Sequence, residues 1–220
     1  MIQLKSVNKV YELGGEKIYA LDNVSLEINP GEFVAVMGPS GSGKSTLANV
    51  IGGLDSPDSG QITVGEQEIT KIRDKALSTY RNKKVGFVFQ TFNLHSGYTA
   101  LENVMIPLVF AGVRSGERKK KAKQCLQAVG LGNRMKHKPG QLSGGQRQRV
   151  SIARALANDP EIIIADEPTG NLDTKKGGEI IDLLKKLNQE KGVVLIAITH
   201  DAEIARQAGR IINIKDGRVS

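Results

Sequence analysis

Residues 38–45 read Gly-Pro-Ser-Gly-Ser-Gly-Lys-Ser, a spacing that fits G-x-x-x-x-G-K-[ST]. An apolar run, EFVAVMG (32–38), precedes it and a helical pattern, KSTLANVIGGL (44–54), follows. Strand before and helix after is the context this motif requires. Its glycines let the backbone curl until its N–H groups face phosphate oxygens. Lys44 adds a point charge within reach of β and γ phosphates, and Ser45 a hydroxyl for Mg²⁺.

A second constellation is EIIIADEPTG (161–170). Ile162 to Ala165 read as a buried strand. It ends in Asp166-Glu167, two acids where parallel sheets bind ligands. Asp166 is placed to hold Mg²⁺ through water. Strand alternation predicts that Glu167 points to the opposite face, from where it could take a proton from an attacking water. Taken alone, the pair also reads as ordinary acids at a strand end.

A third is QLSGGQRQR (141–149), where a serine and two glycines open a basic helix. Backbone N–H groups at such a helix start make a phosphate site. The chain therefore carries two glycine-rich phosphate elements, and the second needs a reason.

The elements that must position these residues follow from hydrophobic period and turn signals. Short alternating strands are expected at 2–7, 17–21 and 24–28, separated by Gly14-Gly15 and Pro30-Gly31. SGQITV and KVGFVFQ (84–90) add strand signal. From 91 to 141 the spacing is helical with little strand character. Beyond 141 the pattern predicts helix 144–157, strand 161–166, helix 174–190, strand 193–198, helix 201–208 and a hairpin at Asp216-Gly217. Such alternation implies an α/β fold with a mostly parallel sheet. The expected organisation is a single domain, with a core from 1–90 and 142–220 and an inserted α-helical subdomain over 91–141. No internal repeat interrupts it.

The 220 residues can bury a sizeable core. The single cysteine, Cys125, excludes an internal disulfide framework and suits a reducing compartment. No apolar run approaches the roughly 20 residues that span a bilayer, and residues 1–13 lack a signal-peptide core. A cytoplasmic location is expected. The formal net charge is +8, and RKKKAK (118–123) concentrates cations. Ala122, Cys125, Leu126 and Val129 recur behind them at helical spacing, so the run reads as a solvated helix face. No aromatic residue lies within it, so the stacking platforms of single-strand binders are not visible. No direct nucleic-acid contact is expected.

Taken together, these segments resemble the nucleotide-binding subunit of ATP-binding cassette (ABC) transporters, in order and over essentially the whole chain. GPSGSGKST resembles the family's Walker A, IIIADEP its Walker B with the catalytic glutamate, and LSGGQ (142–146) its signature letter for letter. Gln90 matches the Q-loop, GNLD (170–173) the D-loop and His200 in ITHD the H-loop. On residue type alone His200 reads as a cap or core histidine, Gln90 as a strand-end amide, Tyr11 as a strand residue and Asp173 as a helix cap. The fold implied is a P-loop NTPase core with an N-terminal antiparallel β subdomain and the helical insert.

The activity implied is ATP hydrolysis with ATP and Mg²⁺. By the resemblance, Gly38, Pro39, Ser40, Gly41, Ser42, Gly43, Lys44, Ser45 and Thr46 cradle the phosphates, and Tyr11 stacks on adenine. Ser45, Gln90 and Asp166 hold Mg²⁺, while Glu167, His200, Gln90 and Lys44 act on the γ-phosphate and the water. Two chains pair head to tail, so Ser143, Gly144, Gly145 and Gln146 of one complete the site of the other. The partners implied are a second copy of the chain, joined on ATP binding, and an integral-membrane permease that holds the subunit at the cytoplasmic face.

FNLHSGYTALENVMIPLVFAGV (92–113), together with DEPTGNLD (166–173), is similar to the macrolide-export, lipoprotein-release and antimicrobial-peptide-export subgroup. That subgroup commonly has Leu-Pro where this chain has His95-Ser96. The competing class, an ATPase of nucleic-acid maintenance or repair, would interrupt the domain with long coiled coils. No sustained heptads occur here.

Overall fold

The computed structural model describes residues 1–220. Two sheets and seven helices form it. The six-stranded sheet contains β3 (Phe33–Met37), β6 (Val85–Phe89), β7 (Ile162–Asp166), β8 (Val194–Ile198), β9 (Arg210–Lys215) and β10 (Arg218–Val219). Its order is β10-β9-β3-β8-β7-β6, parallel except for the edge strand β10. Its central strands are buried on both faces, which is why they read as unbroken apolar runs. Ile162 and Ile164 pack into one core and Ile163 and Ala165 into another.

The second sheet is antiparallel, order β2-β1-β4-β5, from β1 (Ile2–Leu13), β2 (Glu16–Ile28), β4 (Ser59–Val64) and β5 (Gln67–Glu68). Gly14-Gly15 makes the two-residue turn between β1 and β2. The strands expected at 17–21 and 24–28 are one strand. Asn23, at φ 50°, absorbs the irregularity, and its N–H donates to Asn8 Oδ1 at 2.8 Å. Helix α1 (Lys44–Gly52) shares one core with this sheet and the parallel sheet, through Leu47, Val50 and Ile51.

Helix α2 (Asp74–Lys84) escapes the hydrophobic-period reading because Tyr80 is its one buried residue. Tyr80 donates its hydroxyl to Ile51 O at 2.7 Å, and Arg81 donates to Gly53 O at 2.8 Å. Tyr80, Arg81 and the partly buried Leu77, which packs against the same core, thus hold α2 without a longer apolar stripe.

Between β6 and β7 lie three helices and no strand: α3 (Ala100–Phe110), α4 (Ser115–Ala128) and α5 (Gly144–Ala155). Thr99 and Glu102 form a capping box at the start of α3. On α4, Ala122 and Leu126 are buried while Lys119, Lys120 and Lys123 face solvent. Burial pushes the Cys125 thiol up to about 11. Helix α6 (Thr174–Lys191) follows β7. Helix α7 (Ala202–Ala205) is shorter than the 201–208 pattern implied. No helix is long and apolar enough to cross a membrane.

The Asp216-Gly217 turn joins β9 to β10 and reaches back over the other elements. Gly217 N–H donates to Ser42 O at 3.0 Å and Gly217 O accepts from Asp22 N–H at 2.9 Å. The last hairpin therefore pins both the glycine-rich loop and β2.

Candidate functional site

The loop from Gly38 to Gly43 joins β3 to α1. Gly43 is the N-terminal cap of α1 at φ 104°, and a Cβ there would run into Ala20 O. Only glycine fits both the left-handed backbone and the close approach. The backbone N–H groups of Gly43, Lys44, Ser45 and Thr46 have no acceptor within the protein. Ser42 Oγ is buried and unpartnered. Lys44 Nζ folds over the loop, donating to Gly38 O at 2.8 Å and Pro39 O at 2.7 Å. Free N–H groups at a helix start beside an ammonium fit a phosphate chain.

Asp166 ends β7 beside this loop. Burial, reinforced by the neighbouring Glu167 charge, raises its carboxyl above the ordinary value, while Ser45 and Lys44 act the other way. Glu167 does not point to the opposite face. Its φ is 44°, so strand alternation stops at Asp166 and both acids line one cleft. A non-glycine residue in that region carries strain of about 1–3 kcal/mol, typical of functional positions. Its N–H donates to Ile198 O at 3.0 Å, and its Oε1 meets His200 Nδ1 at 2.9 Å.

The cleft, about 560 Å³, is lined by Tyr11, Ile18 and Ala20 of the antiparallel sheet. The glycine-rich loop and α1 start add Gly38, Pro39, Ser40, Gly41, Gly43, Lys44, Ser45 and Thr46, and the strand ends add Gln90, Asp166, Glu167, Ile198 and His200. Ser42 sits behind the loop rather than on it. Ser143, Gly144, Gly145 and Gln146 do not line this cleft. They open α5, where Ser143 Oγ accepts the Gln146 N–H at 3.3 Å and Gln146 Oε1 accepts the Ser143 N–H at 3.0 Å. Ser143 is exposed.

Gln90 is held from the loop after Glu167. Its carbonyl accepts from Asn171 Nδ2 at 2.8 Å. Its side chain packs so closely on Gly170 that a Cβ there would fall 2.5 Å from Nε2. Asp173 caps α6 by accepting the Lys176 N–H at 3.0 Å. Sequence reasoning missed Gln148. It is fully buried in α5, and its Nε2 donates to Pro168 O at 2.8 Å and, more weakly, to Phe89 O at 3.4 Å. It touches the residue after Glu167 and the residue before Gln90. The available signal is a polar residue on the buried face of GGQRQRVSIARA. Arg154 was missed as well. It donates to Phe92 O at 2.9 Å and Asn93 O at 2.5 Å, two residues at φ 59° and 49°.

The family model described as ABC transporter matches residues 21–170. The chain belongs to the ABC transporter family. As an ABC ATPase it is 55% identical to the uncharacterized ABC transporter ATP-binding protein MJ0796 of Methanocaldococcus jannaschii, covering 100% of this chain and 95% of that protein. It is 52% identical to an uncharacterized ABC transporter ATP-binding protein of Thermotoga maritima, covering 100% and 93%. A macrolide export ATP-binding/permease protein of Aggregatibacter actinomycetemcomitans is 48% identical over the full chain, which spans 34% of that longer protein. Among solved structures, the MJ0796 cassette as a post-hydrolysis dimer bound to ADP and Pi superposes with a TM-score of 0.91, at 52% identity, covering 100% of this chain and 97% of that one. The chain is thus an ATP-hydrolysing ABC subunit, related to export-type members and built on the P-loop NTPase fold.

Proposed function

We propose that this ABC ATPase drives a separate integral-membrane permease by an ATP-dependent, head-to-tail dimerisation cycle. The observation that carries this reading is the split between its two phosphate elements. The cleft gathers Tyr11, Gln90, Asp166, Glu167 and His200 around the glycine-rich loop, while Ser143, Gly144, Gly145 and Gln146 stay outside it. A second copy supplies the missing signature segment, and its exposed Ser143 with the α5 N-terminus closes over the γ-phosphate. Two phosphate-binding surfaces of like charge repel until a polyanion bridges them. ATP therefore favours the dimer and hydrolysis loosens it. The relative MJ0796 is dimeric with ADP and Pi bound, which supports the pairing of two copies.

Within the closed site, Glu167 takes the proton of the attacking water at its carboxylate, positioned by His200 Nδ1. Lys44 and the free N–H groups of Gly43 to Thr46 hold the phosphates. No group of three or more His, Cys, Asp or Glu forms a self-sufficient metal cage. Ser45, Gln90 and Asp166 instead suit Mg²⁺, which takes few carboxylates and shares phosphate oxygens. These residues would hold Mg²⁺, which would supply charge neutralisation for the phosphate chain.

The permease docks on the face where α2 and α3 meet. Phe110 is 81% exposed there, beside Arg81 and Phe87. The subunit then works as a peripheral protein on the cytoplasmic face of the membrane. Kinship with a macrolide export ATP-binding/permease protein supports export of a drug as the work done, and the subgroup resemblance of residues 92–113 adds extraction of a peptide or lipoprotein. His95 and Ser96 lie in a loop organised by buried Asn103, whose Oδ1 accepts the His95 N–H at 2.8 Å. That loop, with the stacked His95 and Tyr98 rings, is where partner choice is expected to differ within the subgroup.

Size-exclusion chromatography of Glu167→Gln with Mg·ATP tests the cycle. The variant is expected to run as a dimer with ATP and as a monomer without it. A variant that binds ATP yet stays monomeric rules out the sandwich.

A further inference from the structure

We propose that Asp55 and Lys9 are positioning residues for the nucleobase, fixing the Tyr11 ring so that it selects base-bearing triphosphates over bare polyphosphate. The inference rests on reading Tyr11 as the adenine platform. Three consecutive residues near the free end of the β1–β2 hairpin are gripped by one short loop after α1. Lys9 Nζ donates to Asp55 Oδ1 and to Ser56 O, each at 2.8 Å. Val10 N–H donates to Asp58 Oδ2 at 2.6 Å. Tyr11 donates its hydroxyl to Asp55 Oδ2 at 2.7 Å. A hairpin end that would otherwise sway is thereby tied to the element whose N-terminus holds the phosphates.

Asp55 is itself fixed. Its backbone N–H donates to Asn49 O at 3.3 Å, and its Oδ1 also accepts the Ser56 N–H at 2.7 Å. Burial opposes its ionisation, but the hydrogen bonds from Lys9, Tyr11 and Ser56 hold its carboxyl below the ordinary value. The Lys9 side chain is only 12% exposed, and its ammonium sits 5.1 Å from the Tyr11 ring centroid. That is cation–π distance. The cation occupies one side of the ring, and Tyr11 lines the cleft that would receive the base. Both oxygens of one carboxylate are used, one on the cation and one on the hydroxyl. The ring therefore has its tilt set at the hydroxyl and one side blocked. A platform ordered before binding loses less entropy when the base arrives.

The test compares ATP with inorganic tripolyphosphate, which carries the phosphate chain but no base, by competition against a fluorescent ATP analogue. Tyr11→Phe keeps the ring and removes its hydroxyl, which is bonded to Asp55 and also faces the Thr46 side chain. It is expected to weaken ATP about 3- to 10-fold, the size of one lost hydrogen bond, and to leave tripolyphosphate unchanged. Asp55→Ala should do the same in the wild-type background and add nothing in a Tyr11→Ala background. If Tyr11→Ala binds ATP as tightly as wild type, Tyr11 is not the platform and the proposal falls with that reading. If Tyr11→Ala is weak but Tyr11→Phe and Asp55→Ala match wild type, the platform stands and its positioning by Asp55 is overturned. Equal weakening of ATP and tripolyphosphate in Asp55→Ala and Tyr11→Phe also overturns it, because the damage is then general.

Discussion

Glu167 Oε1 and His200 Nδ1 meet at 2.9 Å across the ends of β7 and β8. With the carboxylate ionised, only an Nδ1–H can donate to it, which directs the imidazole tautomer and leaves Nε2 for the cleft. The His200 side chain is 73% exposed, so the contact does little for the fold.

His200→Ala is therefore expected to separate activity from stability. Phosphate release should fall by about 10²-fold or more. The unfolding free energy should change by less than about 1 kcal/mol, as for other exposed pairs. Hydrolysis near the wild-type rate would remove His200 from the reaction.

Glu167 sits at φ 44°, which predicts an order among its own variants. Glu167→Gly relieves the left-handed strain and Glu167→Ala keeps it. Both lose hydrolysis, but the glycine variant should be the more stable by about 1 kcal/mol in urea unfolding. The reverse order would mean that the backbone there relaxes freely.

Gln148 ties α5 to the residues beside Glu167 and Gln90, with its Oε1 left unpartnered. Gln148→Leu fills the same space without the amide. The expected stability loss is about 1 kcal/mol, with ATP affinity held within about twofold and hydrolysis reduced about tenfold. Stopped-flow binding and steady-state turnover on one preparation check the split. Unchanged turnover would show that the cleft keeps its geometry without this tie.

Ser143 lies outside its own chain's cleft. Ser143→Arg places a bulky cation at the helix start that, in the proposed dimer, would face the second copy's γ-phosphate. ATP binding to the single chain should survive while hydrolysis disappears, read by filter binding and phosphate release. Equal loss of both would place Ser143 in its own chain's pocket.

The parts of the site that were legible are those whose geometry is local in the chain. A phosphate loop is made by the backbone of consecutive residues, so Gly38 to Thr46 show their chemistry as a string. The central strands show as apolar runs because both their faces are buried. The hairpin turns at Gly14-Gly15 and Asp216-Gly217 are equally short-range. Helix α2 stayed hidden because Tyr80 and Arg81, bonded to Ile51 and Gly53 carbonyls, and one partly buried leucine, Leu77, replace the longer apolar stripe that would have marked it.

What the chain order alone determined was the inventory: the two glycine-rich elements, the acids at the end of β7, the glutamine after β6 and the histidine after β8. Tertiary structure decided their relation. The positive φ of Glu167 brings it into the same cleft as Asp166, which no alternation rule foresees. Gln148 and Arg154 act on carbonyls about 20 to 60 residues away in sequence, and Asp55 holds Tyr11 from 44 residues away. Such contacts depend on which elements pack together. Packing is set by the summed burial of many side chains, and no short motif encodes it.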